Sequence, residues 1–239
     1  MEIGLVILAV LGGYLVGALS FARIVSAMAG HGMRSPENVE VRLEGMKTSV
    51  RIDTVSATSV SIKSGPRLGF LTYLLDVLKV FIPVFILKKA FPGEPYYLIW
   101  AAAALVGHVW PVYYRFKGGG GMSVVIGSLF AIDWIAVFVM SIGGVIVGLA
   151  ILRDVYLIYF SGLLLVIPWL WLRTGSVPLV LYAVAANVIF FVASWSGAKK
   201  YYQLRKTEPV LRDPKAVWQF SGMGRGILKM IDKFKKKKV

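Results

Sequence analysis

Cysteine is absent from this chain of 239 residues, and histidine occurs only twice, at His31 and His108. The chain can therefore form no disulfide, thiolate metal site or thiol nucleophile. Two histidines are too few for a histidine-rich metal centre, so we expect no metal and no other cofactor. Acidic residues are scarce as well: 12 Asp and Glu stand against 27 Lys and Arg, which gives a formal net charge of +15.

Hydrophobic residues, by contrast, make up 57% of the chain, and its mean hydropathy is +0.72. A soluble domain with an ordinary polar surface is not so apolar, so lipid must be the solvent for much of this protein. In a soluble protein the large positive charge would suggest a nucleic-acid partner. Here the expected partners are anionic lipid headgroups and phosphorylated substrates, and no nucleic acid.

Seven apolar runs indicate transmembrane helices, because each helix needs about 20 apolar residues to cross the hydrocarbon layer. The fourth run is short, and only Asp133 separates it from the fifth. Six helices, with these two runs merged or one of them re-entrant, therefore remain an alternative to the predicted all-α bundle of about seven. The runs cover residues 3–25, 68–87, 96–114, 122–132, 134–152, 155–172 and 177–195.

Lysine and arginine are distributed unevenly between the two sides that this bundle presents. One side carries only Lys88, Lys89 and Arg173, whereas the other side carries the long loop 26–67 and the tail 196–239 with most of the basic residues. Basic segments remain in the cytoplasm. We therefore predict a multi-pass protein of the cell (plasma) membrane, with its N-terminus outside and its C-terminus in the cytoplasm.

The chain divides into a predicted transmembrane domain over residues 1–195, which includes the cytoplasmic loop 26–67, and a basic tail over 196–239. Within the loop, apolar and polar residues alternate, which predicts a small hairpin or a surface strand pair. Within the tail, residues 226–234 predict an amphipathic segment that lies on anionic membrane lipids. A disordered, solvated tail is the alternative. The alternating stretches of the loop are 39–43 and 49–53.

The most informative segment joins the third run to the fourth and reads GHVWPVYYRFKGGGG, residues 107–121. Consecutive glycines let backbone N–H groups converge on an anion, and the start of the next helix adds its positive end. A phosphate site is the functional interpretation, and a flexible connector between helices is the structural alternative. The candidate phosphate-binding residues of this segment are Arg115, Lys117, Gly118, Gly119, Gly120 and Gly121.

Polar side chains near the same predicted membrane face add further candidates. Asp76 and Lys79 stand three positions apart inside an apolar run. This spacing favours a structural ion pair over catalysis, because an isolated charge in the bilayer is costly. His108 is a candidate for a structural hydrogen bond to a neighbouring helix or for the phosphate site. Thr58 and Ser59 offer hydroxyl groups that could hold a second phosphate, with a polar turn as the alternative.

Three segments resemble, in order and spacing, the membrane acyl-phosphate:glycerol-3-phosphate acyltransferase family of the PlsY type. They are YLVGALSF at 14–21, LDVLKVFIP at 75–83 and the glycine segment at 107–121, and SATSV at 56–60 is similar to the family's GATNV. The resemblance implies seven helices and a cytoplasmic active site. It also implies transfer of a fatty acyl group from acyl phosphate to glycerol 3-phosphate, which gives lysophosphatidate for phospholipid synthesis without a metal or a covalent intermediate.

The departures from the family pattern fall on its working residues. The family has Lys where this chain has Gly120, Ser where it has Ile52 and Arg where it has Ile62. The adjacent Lys63 could replace the charge of that arginine but not its bidentate fork. Residues 194–202 also lack the His, Glu and Asn that the family shows at the end of its last helix.

Two hypotheses therefore stay open. In the first, the chain is a divergent acyltransferase that has rebuilt its phosphate contacts with Lys63, Lys117 and residues of the loop, which carries an insertion at 29–53 relative to the family. In the second, it is a non-catalytic relative that keeps the fold and binds phospholipid or a partner protein. An acyltransfer assay on the purified protein separates the two.

Overall fold

The computed structural model describes residues 1–29, 37, 39–41, 46 and 49–213, and most of these residues are helical. The regular elements are α1 (Ile3–Ala18), α2 (Phe21–Met28), β1 (Val39–Val41), β2 (Val50–Ile52), α3 (Ala57–Ser64), α4 (Pro66–Ala90), α5 (Tyr96–Val109), α6 (Met122–Ile132), α7 (Trp134–Val145), α8 (Leu157–Thr174) and α9 (Val177–Thr207). Short 3-10 helices cover Val112–Tyr114 and Pro209–Arg212, and α7 ends in a π-helical turn at Ile146–Ile151.

Five helical stretches in the described part of the chain are long and apolar enough to cross a membrane. These are α1 with α2, α4, α7 with its π-helical turn, α8 and α9. The chain is therefore a multi-pass membrane protein of the all-α class, as predicted. Helices α5 and α6 have only 14 and 11 residues. Helix length alone thus does not establish the predicted count of seven.

Large apolar side chains cover the outside of the bundle. Leu172, Ile3 and Leu181 are 83%, 78% and 63% exposed, and similar side chains recur along the candidate spans. Inside, Leu105 of α5 and Val124 of α6 are completely buried. An exterior as apolar as the interior is unfavourable in water and is what a lipid solvent requires.

Two of the predicted apolar runs are interrupted. The first run breaks at Leu19, which has an extended backbone and separates α1 from α2. The third run leaves the α-helical conformation after Val109, because Pro111 disfavours a helical backbone at the preceding Trp110. Both breaks lie at the same end of the bundle and form part of the site described below.

Helices α1 and α5 approach each other closely through small residues. Gly13 and Gly17 lie one helical turn apart on α1, and a Cβ atom at Gly17 would meet the backbone of Ala104 in α5. In the other direction, a Cβ atom at Gly107 of α5 would meet the carbonyl of Tyr14. Small residues at such spacing let helix backbones touch in a membrane, where no hydrophobic effect drives their association.

The predicted hairpin in the loop is confirmed. Strands β1 and β2 pair antiparallel, with Val39 opposite Ile52 and Val41 opposite Val50. Val39 is buried beneath the pair, and the adjoining Val55 is buried as well. Val55 packs with Ala22 and Val25 of α2 and Val60 of α3, so apolar contacts attach the segment after β2 to the helices.

The first residues of the predicted tail are helical. Helix α9 continues to Thr207, so the predicted domain boundary at residue 195 falls inside a helix. In this extension Lys200 donates a hydrogen bond of 2.7 Å to the carbonyl of Arg51 in β2. The predicted amphipathic segment at 226–234 lies outside the described residues.

One end of the bundle, called here the Asp133 end, contains charged side chains that bind helix termini. Asp133 accepts a hydrogen bond of 3.0 Å from the amide of Ile135 at the start of α7 and one of 3.1 Å from Trp169. It also forms an ion pair of 2.8 Å with Arg173. Lys88 of α4 donates to the last two carbonyls of α6, at 3.1 and 2.7 Å. These contacts fix the ends of α6, α7 and α8 relative to α4.

The opposite end has a buried polar cluster between α7, α8 and α9. Asp154 is 4% exposed and accepts from Tyr202 at 3.1 Å and from Arg205 at 2.5 Å. The Tyr156 hydroxyl donates to the carbonyl of Ser194 at 3.1 Å. The cluster anchors the extension of α9 against the loop that follows α7.

Candidate functional site

The candidate site is formed by the segment between α5 and α6, at the end of the bundle opposite the Asp133 end. The Pro111 carbonyl accepts a hydrogen bond of 3.0 Å from the amide of Phe116, which closes a tight loop. Arg115 and Phe116 have φ angles of 52° and 59°, in the left-handed region that side chains other than glycine seldom occupy. This turn brings the following glycines back against the last turn of α5.

Gly118 and Gly119 are held tightly in place. The amide of Gly119 donates to the carbonyl of His108 at 3.1 Å, and the carbonyl of Gly118 accepts from the amide of Val55 at 3.2 Å. A Cβ atom at Gly119 would meet Nε2 of His108 and the carbonyl of Val55. These two positions therefore require glycine because the loop lies between α5 and the residues before α3.

Gly120 is the open position of the turn, and the buried Gly121 packs against Leu105. A Cβ atom at Gly120 would have no heavy atom within 4 Å, and Gly121 is the N-cap of α6 with a φ of 86°. Within the described residues, nothing accepts a hydrogen bond from the amides of Gly120, Gly121 and Met122–Val124. Converging free amides at the positive end of a helix are what an anion site needs.

Three buried side chains lie directly beneath the glycines. Asp76 and Lys79 form an ion pair of 2.7 Å, and the Lys79 ammonium also donates to the Leu19 carbonyl at 2.7 Å. The same ammonium lies 3.0 Å from Nδ1 of His108. An ammonium can only donate, so Nδ1 accepts and the ring proton of neutral His108 lies on Nε2. The Nε2–H group is thus on the side of the ring that faces Gly119.

Arg23 of α2 is a residue of this site that the sequence analysis missed. Its guanidinium donates to the carbonyl of Lys117 at 2.9 Å and lies 4.3 Å from the ring centroid of Tyr114. It also forms an ion pair of 2.6 Å with Glu37 of the loop. The available signal was an arginine near the end of an otherwise apolar run, which in a membrane protein indicates function or a specific partner.

The hydroxyl candidates before α3 are placed differently from one another. Ser59 is fully buried, and its hydroxyl donates to the carbonyl of Ser56 at 2.7 Å while accepting from the amide of Ser56 at 2.8 Å. Together the two serines form a capping box at the start of α3. Ser59 therefore stabilises a helix start, which is the polar turn given above as the alternative. Thr58 is exposed.

The three basic candidates, Arg115, Lys117 and Lys63, differ in their exposure and contacts. Lys117 and Arg115 are exposed beside the glycines. Lys63 donates to the backbone carbonyl of Glu37 at 2.6 Å. Glu37 therefore links Arg23 and Lys63, so a residue of the loop contacts two cations at the site.

The chain was compared with known proteins. The family model described as glycerol-3-phosphate acyltransferase matches residues 7–204. The chain belongs to this family.

The glycerol-3-phosphate acyltransferase of Methylococcus capsulatus is 34% identical over 167 residues, which cover 70% of this chain and 77% of the relative. That of Desulfotalea psychrophila is 30% identical over 185 residues, or 76% and 81% of the two chains. That of Aquifex aeolicus is 31% identical over 121 residues, and the alignment spans 50% of this chain and 56% of the relative.

Solved structures of this family share the fold. PlsY, an integral membrane glycerol 3-phosphate acyltransferase, superposes with a TM-score of 0.66 in its glycerol 3-phosphate form, at 23% identity. Its lysophosphatidic acid form gives the same TM-score at 22% identity. In both cases the match covers 84% of this chain and 93% of the other. The likeness establishes an integral membrane bundle of the PlsY type.

Proposed function

We propose that this protein transfers a fatty acyl group from acyl phosphate to the 1-hydroxyl of glycerol 3-phosphate at the cytoplasmic face of the plasma membrane. The hydroxyl oxygen bonds to the acyl carbon, the bond from that carbon to the phosphate oxygen breaks, and the hydroxyl proton ends on the released phosphate. The products are lysophosphatidate, which feeds phospholipid synthesis, and inorganic phosphate. Membership of the acyltransferase family supports this reaction.

The observation that carries the proposal is the set of amides at Gly120, Gly121 and the start of α6, for which the described part of the chain offers no acceptor. Both substrates bring a phosphate, and the departing phosphate gains negative charge as the acyl bond breaks. Fixed N–H dipoles stabilise such charge without reorganising during the reaction. The packing of Gly118 and Gly119 holds these amides in position before a substrate arrives.

The side chains around the turn have separable roles in this proposal. Exposed Lys117 and Arg115 attract the soluble phosphate and balance its charge. The Nε2–H group of His108, oriented by Lys79, offers a further donor beneath the turn. Thr58 offers an exposed hydroxyl near the start of α3, where a second phosphate could be held.

The position of the turn suits a reaction between a soluble and a lipid substrate. It lies at one end of a bundle whose outer surface is apolar along the candidate spans. An acyl chain can therefore stay among lipid tails while its phosphate reaches the amides. Glycerol 3-phosphate approaches from the aqueous side.

We propose further that the chain crosses the membrane seven times, with its N-terminus outside and its basic tail in the cytoplasm on anionic lipids. The amide of Glu2 donates to Tyr96 at 2.7 Å, so α1 and α5 start at the same end. Lys88 binds the last carbonyls of α6, and Arg173 pairs with Asp133, so α4, α6 and α8 finish at that end. These pairings support seven alternating spans, with α5 and α6 included.

The absence of cysteine makes this topology easy to test with single-cysteine variants. We expect Glu94→Cys, at the Asp133 end, to react with a membrane-impermeant maleimide in intact cells. Lys199→Cys, on the extension of α9, should react only after the membrane is permeabilised. The reverse pattern of labelling would invert the proposed orientation.

Product formation tests the reaction itself. Purified protein in lipid or detergent is given acyl phosphate and radiolabelled glycerol 3-phosphate, and lysophosphatidate is separated and counted. We expect product above the level of membranes that lack the protein. If none forms between about pH 6 and 9, the chain is a non-catalytic relative and the acyltransferase proposal fails.

Lys117→Ala then tests the binding role of the turn. We expect it to raise the KM for one phosphate substrate by about tenfold and to lower kcat less, because an exposed lysine contributes mainly to binding. Lys199→Ala removes the same charge from the exposed surface of α9 and serves as the control. A larger change in kcat than in KM would place Lys117 in the chemical step.

A further inference from the structure

Arg23 occupies a defined position beside the glycine turn. Its side chain is 15% exposed, and its guanidinium donates to Lys117 and lies over the ring of Tyr114. These two contacts, to the Lys117 carbonyl and the Tyr114 ring, fix the cation against the segment that leads into the glycines. A guanidinium held in this way presents its remaining N–H groups with little loss of conformational freedom.

The turn itself has no side chain at its open position. Gly120 leaves space around its missing Cβ, at the position where the family resemblance places a lysine. A positive charge nearby strengthens phosphate binding at amides that have no acceptor among the described residues, because cation and anion attract each other at short range. Arg23 supplies such a charge from α2, on a different segment of the chain.

The present partner of Arg23 is a carboxylate that solvent can reach. Glu37 lies 2.6 Å from the guanidinium, and its side chain is 31% exposed. It belongs to the insertion at 29–53, so it is a feature of this chain relative to the family pattern. Carboxylate and phosphate oxygens match the guanidinium fork in the same manner, and one can therefore replace the other.

We propose that Arg23 binds a substrate phosphate in this protein, and that this phosphate displaces the Glu37 carboxylate from the guanidinium. The inference deepens the proposed acyltransferase function and rests on it for the identity of the substrate. Glu37 keeps the half-buried cation paired while the site is empty. It also competes with the substrate, so it sets the phosphate concentration at which the site fills.

Three variants test this exchange, with kinetics measured separately for glycerol 3-phosphate and for acyl phosphate. Arg23→Gln should raise the KM of the substrate whose phosphate it binds by about tenfold or more, because a charge-assisted bond is lost. Glu37→Gln should lower the same KM by about threefold to tenfold, because the competing charge is removed. Glu40→Gln removes the same charge from an exposed position of β1 and should change neither KM.

The combined variant separates exchange from a general effect of charge. In the Arg23→Gln background, Glu37→Gln should no longer lower the KM, because the two residues act at one position. If Glu37→Gln and Glu40→Gln behave alike, or if Arg23→Gln leaves both KM values unchanged, the proposal is wrong. Arg23→Lys, which keeps the charge but not the fork, should fall between the wild type and Arg23→Gln, with thermal unfolding showing that each variant is folded.

A binding measurement keeps this inference distinct from the proposed function. Calorimetric titration of the purified protein with glycerol 3-phosphate, and then with inorganic phosphate, needs no turnover. Binding that Glu37→Gln strengthens and Arg23→Gln weakens would support the exchange even if no lysophosphatidate formed. The same titration is made with acyl phosphate. If glycerol 3-phosphate, inorganic phosphate and acyl phosphate all fail to bind both the wild type and Glu37→Gln at millimolar concentration, Arg23 is not a phosphate ligand.

Discussion

The two ends of the bundle use the polar groups of helix termini in opposite ways. At the Asp133 end, Asp133 caps α7 and pairs with Arg173, and Lys88 binds the last carbonyls of α6. At the other end, α6 begins with amides that have no acceptor among the described residues. The terminal carbonyls of α6 are therefore bonded at its C-terminus, whereas the amides at its N-terminus are available to a ligand.

This contrast distinguishes stabilisation from binding within one fold. A helix end whose polar groups are all bonded contributes to stability and leaves nothing for a ligand. A helix end left open forgoes that contribution but keeps donors ready for an anion. Substitutions at the Asp133 end should therefore change stability, and substitutions at the glycine turn should change activity.

The largest expected effect comes from Gly119→Ala. Its Cβ atom would meet His108 and Val55, so the turn must shift, and displacing a preorganised site by about 1 Å costs about 100-fold in kcat/KM. Gly4→Ala is the matched control, because a Cβ atom there meets nothing within 4 Å. Lysophosphatidate formation by the two purified variants gives the comparison. Equal activities of the two variants would show that catalysis does not depend on the present position of the turn.

Asp133→Ala should have an intermediate effect, on stability alone. It removes the cap of α7 and the partner of Arg173, which should lower the free energy of unfolding by about 1–3 kcal/mol. Unfolding in mixed detergent measures the change. Glu94→Gln removes a half-buried carboxylate at the same end, whose ion pair with the N-terminal ammonium at 3.7 Å is long, and should cost less than about 1 kcal/mol. A fall in kcat/KM of the folded Asp133→Ala protein would contradict the claim that this end contributes to stability alone.

The smallest expected effect is a gain. Gly120→Lys places a cation at the open position of the turn, where its Cβ atom has room, and should raise kcat/KM by about threefold to tenfold through added charge at the phosphate. Ser196→Lys adds the same charge to the exposed surface of α9 as the control. A gain of the same size in both variants would reflect attraction by net charge alone.

Helix limits were predictable where the sequence marks them. The predicted run 122–132 coincides with α6, because Gly121 ends the preceding turn and Asp133 caps the next helix. The end of α9 was not predictable from hydropathy, since its extension to Thr207 is polar. Hydropathy identifies the residues that lie in lipid. A helix that continues into water is polar there, so hydropathy does not show where it ends.

The site was only partly predictable for a different reason. The glycine turn is contiguous in sequence, so its residues could be named together. Arg23 could not be placed there, because its partners Glu37 and Lys117 lie 14 and 94 positions away. For Ser59 the sequence left two alternatives, a phosphate ligand or part of a polar turn, because a hydroxyl in a capping box looks the same in sequence as one that faces solvent.

The shortness of α6 determines how deep the glycine turn lies. A Cβ atom at Gly127 would meet Val77, so these residues are level, and Met122 is then level with Thr72. Thr72 lies six residues into α4, which begins at Pro66. At 1.5 Å per residue, the turn is recessed by about 9 Å from the start of its neighbour. In the proposed reaction, glycerol 3-phosphate has to descend by that distance from the water, whereas acyl phosphate reaches the same depth from the lipid.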